Sequence, residues 1–99
     1  MLIEIRYYGF FSSLTRKMFE KTEIKEGTTV TELVESLTNH FGYKFNKLCF
    51  IRPLYSDKDY INICLNTLDL NINKKFPEGI NTELKKGDVV SFGAIGGAA

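Results

Sequence analysis

The sequence has few cysteines and little excess charge, and it contains no long apolar segment. Two cysteines, Cys49 and Cys64, are too few for a disulfide framework or a four-ligand zinc site, so we expect reduced thiols and a cytoplasmic protein. Thirteen basic residues against twelve acidic ones leave a formal charge of +1, which argues against nucleic acid as a partner. Because no apolar run approaches the roughly 18 residues of a membrane span, we expect no membrane partner either.

The sequence does contain enough apolar material for one folded domain. It has 99 residues, of which 43% are hydrophobic and 13% are aromatic, and this is the length and composition of a single folded domain. The N-terminus alternates apolar and polar residues, with Glu4 near its start. This pattern is typical of a β-strand and not of a secretion signal.

The clearest predicted element is a helix near the middle of the chain. Thr29 and Glu32 have the spacing of a capping box, and Gly42 is a typical residue just past a helix end. Apolar residues recur between them at the intervals of one helical face, namely Val30, Leu33, Val34, Leu37 and Phe41. We therefore predict an α-helix of about three turns from residue 30 to residue 41 that covers a sheet with its apolar face.

Alternating segments predict the strands of that sheet. Residues 2–8 alternate, and a weaker alternation returns from about residue 19 to residue 24, so we expect an antiparallel hairpin with a long connection. Residues 60–66 alternate strictly, which places Ile63 inward and Cys64 outward. A tight turn at residues 86–88 leads into the last strand.

The last strand has two registers one residue apart, and they differ in which side chains face the core. Apolarity favours Val90 and Phe92 in the core over Val89 and Ser91. Two N-terminal strands, a helix and a C-terminal strand then make an α+β fold, in which the last strand can pair with the first in parallel. This is the β-grasp arrangement of ubiquitin. We predict a β-grasp domain over residues 1–92 and a flexible C-terminal tail over residues 93–99.

Five segments of the chain resemble the ubiquitin-like sulfur-carrier family. They are "IEIRYYGFFSSL", "GTTVTELVESLTNHF", "INICLNT", "LKKGDVVSF" and the diglycine Gly96-Gly97. The family includes the small subunit of molybdopterin synthase and the thiamine-biosynthesis sulfur carrier. The length and the long middle segment of this chain are more similar to the molybdopterin-synthase subunit.

The resemblance implies chemistry at Gly97. A partner enzyme of the ubiquitin-activating type would use ATP to adenylate the Gly97 carboxylate, and sulfide or persulfide would displace AMP to give a thiocarboxylate. The sulfur would then pass to the large subunit of molybdopterin synthase or to another acceptor enzyme. Gly93, Ala94, Ile95 and Gly96 would thread into these partners, since glycine leaves a narrow channel free. The carrier would hold no cofactor or metal and would not be an enzyme by itself.

The sequence departs from the family pattern in its tail. Ala98 and Ala99 follow the diglycine, so the Gly97 carbonyl lies in a peptide bond. Either a processing peptidase removes the two alanines, or the chain no longer carries sulfur, or the two alanines are an artificial addition. In addition, Gly93-Ala94 stands where the family often places proline and a bulky residue.

The remaining candidate residues are predicted partner contacts. They are Tyr8, Phe10, Phe11, Lys85 and Lys86. His40, near the end of the predicted helix, is interpreted as a structural residue that interacts with the helix dipole, and the two cysteines as ordinary thiols. Two other functions stay open, namely a carrier for another thio-metabolite or amino acid and a β-grasp interaction module that carries no sulfur.

Overall fold

The computed structural model describes residues 1–51, 60–66, 70–72 and 78–93. The strands are β1 (Leu2–Tyr7), β2 (Phe19–Glu23), β3 (Phe50–Ile51), β4 (Tyr60–Ile61), β5 (Ile63–Leu65), β6 (Leu70–Asn71) and β7 (Val89–Phe92). The helices are α1 (Phe10–Thr15), α2 (Val30–Phe41) and α3 (Tyr43–Cys49), with a 3₁₀ helix at Glu78–Asn81. None of the helices in the described part of the chain combines the length and apolarity that a bilayer crossing requires.

The first and last strands lie side by side at the centre of the main sheet. This sheet has the order β2-β1-β7-β5-β6, and β3 pairs with β4 separately. Strands β1 and β7 run parallel, with Glu4 opposite Val89 and Tyr7 opposite Phe92. Strand β2 is antiparallel to β1, and β5 is antiparallel to β7. The predicted β-grasp arrangement is therefore confirmed.

Helix α2 has the bounds that the sequence predicts. The hydroxyl of Thr29 accepts a hydrogen bond from the Glu32 N–H at 3.2 Å, and the Glu32 carboxylate accepts one from the Thr29 N–H at 3.1 Å. These bonds satisfy N–H groups that the start of a helix leaves free. The predicted apolar face is buried at Val30, Leu33, Val34 and Leu37. Gly42 ends the helix with a φ of 97°.

Two short helices, α1 and α3, occupy segments for which the sequence predicts no helix. In each of them, two buried side chains are four residues apart, Phe11 and Thr15 in α1 and Phe45 and Cys49 in α3. Residues at this spacing lie on the same side of a helix. One such pair is too short a pattern to distinguish a helical turn from irregular structure.

The core lies between α2 and the inner face of the sheet. At the end of β7 it contains a cluster of aromatic side chains. The Phe92 ring lies 5.0 Å from the ring of Phe45 and 5.5 Å from the ring of Phe11, measured between centroids. Tyr7 stacks on Phe92 at 6.1 Å. Val90 and Phe92 are fully buried, which confirms the register that apolarity favours. The end of β7 is thus fixed by apolar packing.

Candidate functional site

The candidate site is the point at which the chain leaves the sheet after β7. We call this point, formed by Tyr8, Asn62 and Gly93, the tail exit. The N–H of Tyr8 donates to the Phe92 carbonyl oxygen at 2.9 Å, and the N–H of Gly93 donates to the Asn62 carbonyl oxygen at 3.0 Å. Backbone next to both neighbouring strands therefore holds the chain at the exit, and the chain leaves from the centre of the sheet.

Gly93 belongs to the folded domain and not to the tail to which the sequence assigned it. It is buried and has a φ of +94°. A Cβ atom at this position would lie 2.7 Å from the carbonyl oxygen of Tyr8 and 3.1 Å from Cδ2 of Phe11. Both the backbone conformation and the lack of space therefore require glycine here. The folded domain therefore includes at least residue 93, one residue more than the sequence predicts.

The structure separates the three aromatic residues that were predicted to contact partners. Tyr8 is 41% exposed and Phe10 is 80% exposed, so both can still meet a partner. Phe11 is 1% exposed, and its predicted role as a contact is wrong. The reason is that α1 turns this ring into the core, where it packs against Phe45 and Phe92.

Two residues that the sequence analysis did not single out enlarge the exposed apolar surface. Met18 is 78% exposed and Phe19 is 63% exposed. Together with residues of β1 and the residue that follows it, they line a groove of about 410 Å³, which we call the outer groove. Its lining residues are Glu4, Arg6, Tyr7, Tyr8, Met18 and Phe19. Clustered exposed apolar side chains mark interaction surfaces. The available signal was the weak alternation of the β2 segment. The structure pairs Phe19 with Arg6 of β1.

The charges inside the outer groove compensate each other. Nε of Arg6 lies 2.6 Å from Oε2 of Glu4. Hydrogen bonding to Glu4, with a further contribution from the Tyr8 side chain, raises the pKa of the Arg6 guanidinium above its usual value. Arg6 therefore stays charged and paired, and the groove presents a mainly apolar surface to a partner.

Lys85 and Lys86 lie at the opposite end of β7 from the tail exit. Both are exposed and lie in the turn that leads into β7. In this turn the N–H of Gly87 donates to the carbonyl oxygen of Leu2 in β1 at 2.9 Å. The length of β7, at about 3.3 Å per residue, separates them from Gly93. These lysines therefore do not adjoin the tail exit, and their contact with a partner stays a prediction.

Both cysteines are enclosed by the fold. Cys49 and Cys64 are buried, and burial raises the pKa of each thiol. A buried, protonated thiol is a poor nucleophile, which agrees with the interpretation of both as ordinary thiols. The prediction that Cys64 faces outward to solvent is wrong. It is 3% exposed beside Ser91, its partner across β5 and β7, which is equally buried.

His40 lies in the last turn of α2, as the sequence predicts. It is exposed, and its ring meets the ring of Phe41 edge-on at 4.6 Å between centroids. A cation at this position interacts favourably with the helix dipole. Within the residues that the structure describes, no group of three or more His, Cys, Asp or Glu side chains could hold a metal ion.

The other predicted tail residues lie outside the described residues. They are Ala94, Ile95, Gly96, Gly97, Ala98 and Ala99. Their predicted roles in threading, adenylation and cleavage therefore stay predictions.

The sheet order and the tail exit define a β-grasp protein of the ubiquitin-like class, and solved structures agree. A candidate molybdopterin converting factor, subunit 1, from Pyrococcus furiosus is 27% identical with a TM-score of 0.65, over 91% of this chain and 92% of that chain. The Haloferax volcanii HVO 2177 protein is 19% identical with a TM-score of 0.68, over 93% and 80%. Small archaeal modifier protein 1 from Methanosarcina acetivorans is 17% identical with a TM-score of 0.59, over 91% and 88%. No family model and no curated protein matches the sequence.

These similarities confirm the resemblance to the ubiquitin-like sulfur-carrier family. The P. furiosus protein matches this chain over almost the full length of both proteins, and the two more distant structures share the fold. By their names, the first of these proteins is a candidate subunit of a molybdopterin converting factor and the third is a small archaeal modifier protein. A carrier-type role for this chain is therefore the one that its neighbours support.

Proposed function

We propose that this chain carries sulfur as a thiocarboxylate on Gly97 for the synthesis of molybdopterin. The observation that carries the proposal is the tail exit, which Gly93 fixes at the centre of the sheet beside the exposed outer groove. Residues 94–97 then reach at most about 14 Å beyond it. This is enough for Gly97 to enter a partner's active site while the domain stays outside.

The chemistry requires a free carboxylate on Gly97. Because Ala98 follows Gly97 in the sequence, a peptidase first hydrolyses the peptide bond between them. A carboxylate oxygen of Gly97 then attacks the α-phosphorus of ATP in a partner enzyme of the ubiquitin-activating type, and pyrophosphate leaves. Sulfide attacks the carbonyl carbon of the acyl adenylate, and AMP leaves with the bonding electron pair. The product is the thiocarboxylate.

In this proposal the residues of the chain itself provide docking and positioning. A tail that enters a narrow channel loses conformational freedom, so most of the binding free energy must come from the folded domain. Tyr8, Met18 and Phe19 of the outer groove offer exposed apolar contacts for this purpose. The similarity to the candidate molybdopterin converting factor supports the large subunit of molybdopterin synthase as the sulfur acceptor.

A second candidate function is protein modification. Two of the structural neighbours are small archaeal modifier proteins, from M. acetivorans and H. volcanii. A modifier role starts from the same adenylate of Gly97, but an amine of another protein attacks the acyl carbon instead of sulfide. The product is an amide bond in place of a thiocarboxylate, so the two functions differ in a measurable way.

The test uses intact-mass spectrometry of three proteins incubated with the host's adenylating enzyme, ATP and sulfide. The full-length chain should stay unmodified, because its Gly97 has no carboxylate. A chain that ends at Gly97 should gain AMP and then exchange one oxygen for one sulfur. The matched control ends at residue 97 but carries Gly97→Val, whose branched side chain would obstruct a narrow channel, and it should gain neither.

A docking variant separates the contribution of the domain from that of the tail. In the chain that ends at Gly97, Met18→Glu with Phe19→Glu places charges on the outer groove and should weaken binding to the adenylating enzyme while the fold is retained. If the chain that ends at Gly97 binds this enzyme but never accepts AMP, the carrier proposal fails. The remaining function is then that of a β-grasp interaction module that carries no sulfur. An amide-linked conjugate without any thiocarboxylate would instead favour the modifier function.

A further inference from the structure

A second groove, distinct from the outer groove, lies between α1 and α3. Its volume is about 530 Å³. We call it the helix groove and define it by its lining residues: Phe10, Ser13, Leu14, Lys44, Lys47 and Leu48. Leu14 and Leu48 are half-buried against the core, whereas Phe10 is 80% exposed. The groove therefore has an apolar floor and an exposed aromatic residue at its edge.

The chain around the helix groove carries charge of only one sign. Residues 9–17 and 42–50 contain four basic residues and no aspartate or glutamate, while the rest of the chain is net negative. Within the described part of the chain, Lys17 pairs with Glu20 at 3.3 Å, but neither Lys44 nor Lys47 is in an ion pair. Lys47 instead lies 5.4 Å from the centroid of the Tyr43 ring. Two lysines of the groove are thus available to a partner's carboxylates.

We propose that the helix groove binds an acidic amphipathic segment of a partner protein. An apolar side chain of that segment enters between Leu14 and Leu48, and its carboxylates pair with Lys44 and Lys47. An apolar pocket surrounded by charged groups matches the anatomy of protein interfaces, in which a buried anchor supplies most of the affinity. The lysines add to the rate of association and select against basic partners.

Shape and charge favour such a segment over two other occupants. A concave groove accepts an inserted side chain, whereas a bilayer surface is bound by side chains that protrude into it. A second copy of this chain docked through the same groove would bring the lysines of both copies together. The inference concerns binding alone, and it does not require that Gly97 carry sulfur.

The position of the groove also links it to the tail exit. Phe10 lies at the edge of the groove, and its neighbour Phe11 lies in the core, where its ring would be 3.1 Å from a Cβ at Gly93. A segment bound in the helix groove therefore lies on the helix that adjoins the exit. A partner can use both the groove and the tail.

The experiment measures binding of a short amphipathic peptide to the full-length protein by NMR titration. The peptide has leucine and phenylalanine on one face and glutamate on the other, and its control has lysine in place of each glutamate. We expect the acidic peptide to shift the amide resonances around Leu14 and Leu48, with an affinity that falls as salt is added. The basic peptide should bind at least about tenfold more weakly.

Charge reversal tests the predicted contacts. Lys44→Glu with Lys47→Glu should weaken binding of the acidic peptide by about tenfold or more, and Phe10→Ala, an exposed position, should also weaken it. The matched control, Lys21→Glu with Lys25→Glu, makes the same charge change at two exposed lysines outside the groove and should leave binding unchanged.

Three results would overturn the proposal. The first is an acidic peptide that causes no shifts in the helix groove. The second is binding that the two pairs of charge reversals reduce equally. The third is sedimentation of the protein with phosphatidylglycerol vesicles through Lys44 and Lys47 in the absence of peptide binding, which would assign the groove to a lipid surface.

Discussion

The two ends of strand β7 each carry a glycine with positive φ, but different interactions hold them. At the beginning of the strand, Gly87 has a φ of +85°, and a Cβ there would meet no atom within 4 Å. At the end, Gly93 has a φ of +94°, and a Cβ would lie 2.7 Å from the Tyr8 carbonyl oxygen. Gly87 is therefore required for its conformation alone, whereas Gly93 is required for conformation and space.

The beginning of β7 is held by polar groups. The carboxylate of Asp88 accepts a hydrogen bond from the Lys85 N–H at 2.7 Å and one from the Asn66 side-chain amide at 3.2 Å. The Asn66 amide oxygen in turn accepts one from the Val89 N–H at 3.0 Å. The exit end has backbone hydrogen bonds too, but the side chains around it are packed aromatic rings, those of Phe11, Phe45 and Phe92. The tightly packed apolar side chains therefore lie at the end of β7 from which the tail leaves.

The largest expected effect comes from removing the packing at the exit. Phe11→Ala deletes a buried ring and should lower the free energy of unfolding by about 3–5 kcal/mol. Phe10→Ala is the matched control, because this neighbouring ring is 80% exposed and its loss should change stability by less than about 0.5 kcal/mol. Urea denaturation measures both. Equal losses in the two variants would show that the exit does not depend on this packing.

The two glycines provide the next comparison. Gly93→Ala combines an unfavourable φ with a steric clash against backbone, so it should cost about 3 kcal/mol. Gly87→Ala meets no atom and should cost about 1 kcal/mol, from conformation alone. Thermal unfolding of the two variants measures this difference. The interpretation of the exit as the sterically closed end fails if Gly87→Ala is the more damaging change.

A smaller effect is expected from the polar end. Asp88→Ala removes the acceptor for Lys85 and Asn66 and should cost about 1–2 kcal/mol. Lys86→Ala, an exposed residue of the same turn, should be close to neutral. Chemical denaturation of both variants gives the two values. A loss as large as that of Phe11→Ala would mean that both ends of β7 are equally rigid.

The smallest effect is expected from pH, and it concerns the exit end. Burial, together with the hydrogen bond to Glu20, raises the pKa of Tyr7 above its ordinary value of 10.0. The folded protein therefore holds this proton more tightly than the unfolded chain, and the resulting stability is complete below about pH 10 and is lost as the pH rises further. Tyr7→Phe removes this contribution while it keeps the ring.

Urea denaturation from about pH 8 to pH 11 should therefore show a steeper loss of stability for the unmodified protein than for Tyr7→Phe. All other ionisable groups are the same in the two proteins, so their effect cancels in the comparison. Identical slopes for the two proteins would contradict the protonated, buried state of Tyr7.

The elements that the sequence predicted well are those with a complete local signal. Helix α2 has a capping box at Thr29 and four buried positions on one face, so its bounds follow from nearby residues alone. The register of β7 follows from the apolarity of Val90 and Phe92. The central pairing of β1 with β7 follows from the order of the elements, because a parallel pair needs a crossover between its strands.

What the sequence did not show depends on contacts between distant segments. Phe10 and Phe11 are adjacent and chemically identical, and only helix α1 sends one to solvent and the other to the core. The role of Gly93 depends on its approach to the Tyr8 carbonyl, and the position of Lys85 on the direction of β7. The helix groove likewise forms only because α1 and α3 lie side by side, and the sequence predicted neither helix.

The parallel pairing of the first and last strands also sets the order in which the molecule can be made. Strand β1 leaves the ribosome well before its central neighbour β7, because the whole rest of the sheet and all the helices lie between them in the chain. Since the centre of the sheet joins the two most distant strands of the domain, the contacts between β1 and β7 are non-local and form late. A chain interrupted before residue 89 lacks the middle of its sheet and exposes the apolar face of β1 to proteases. The complete sheet can therefore form only after synthesis has passed residue 92, the last residue of β7.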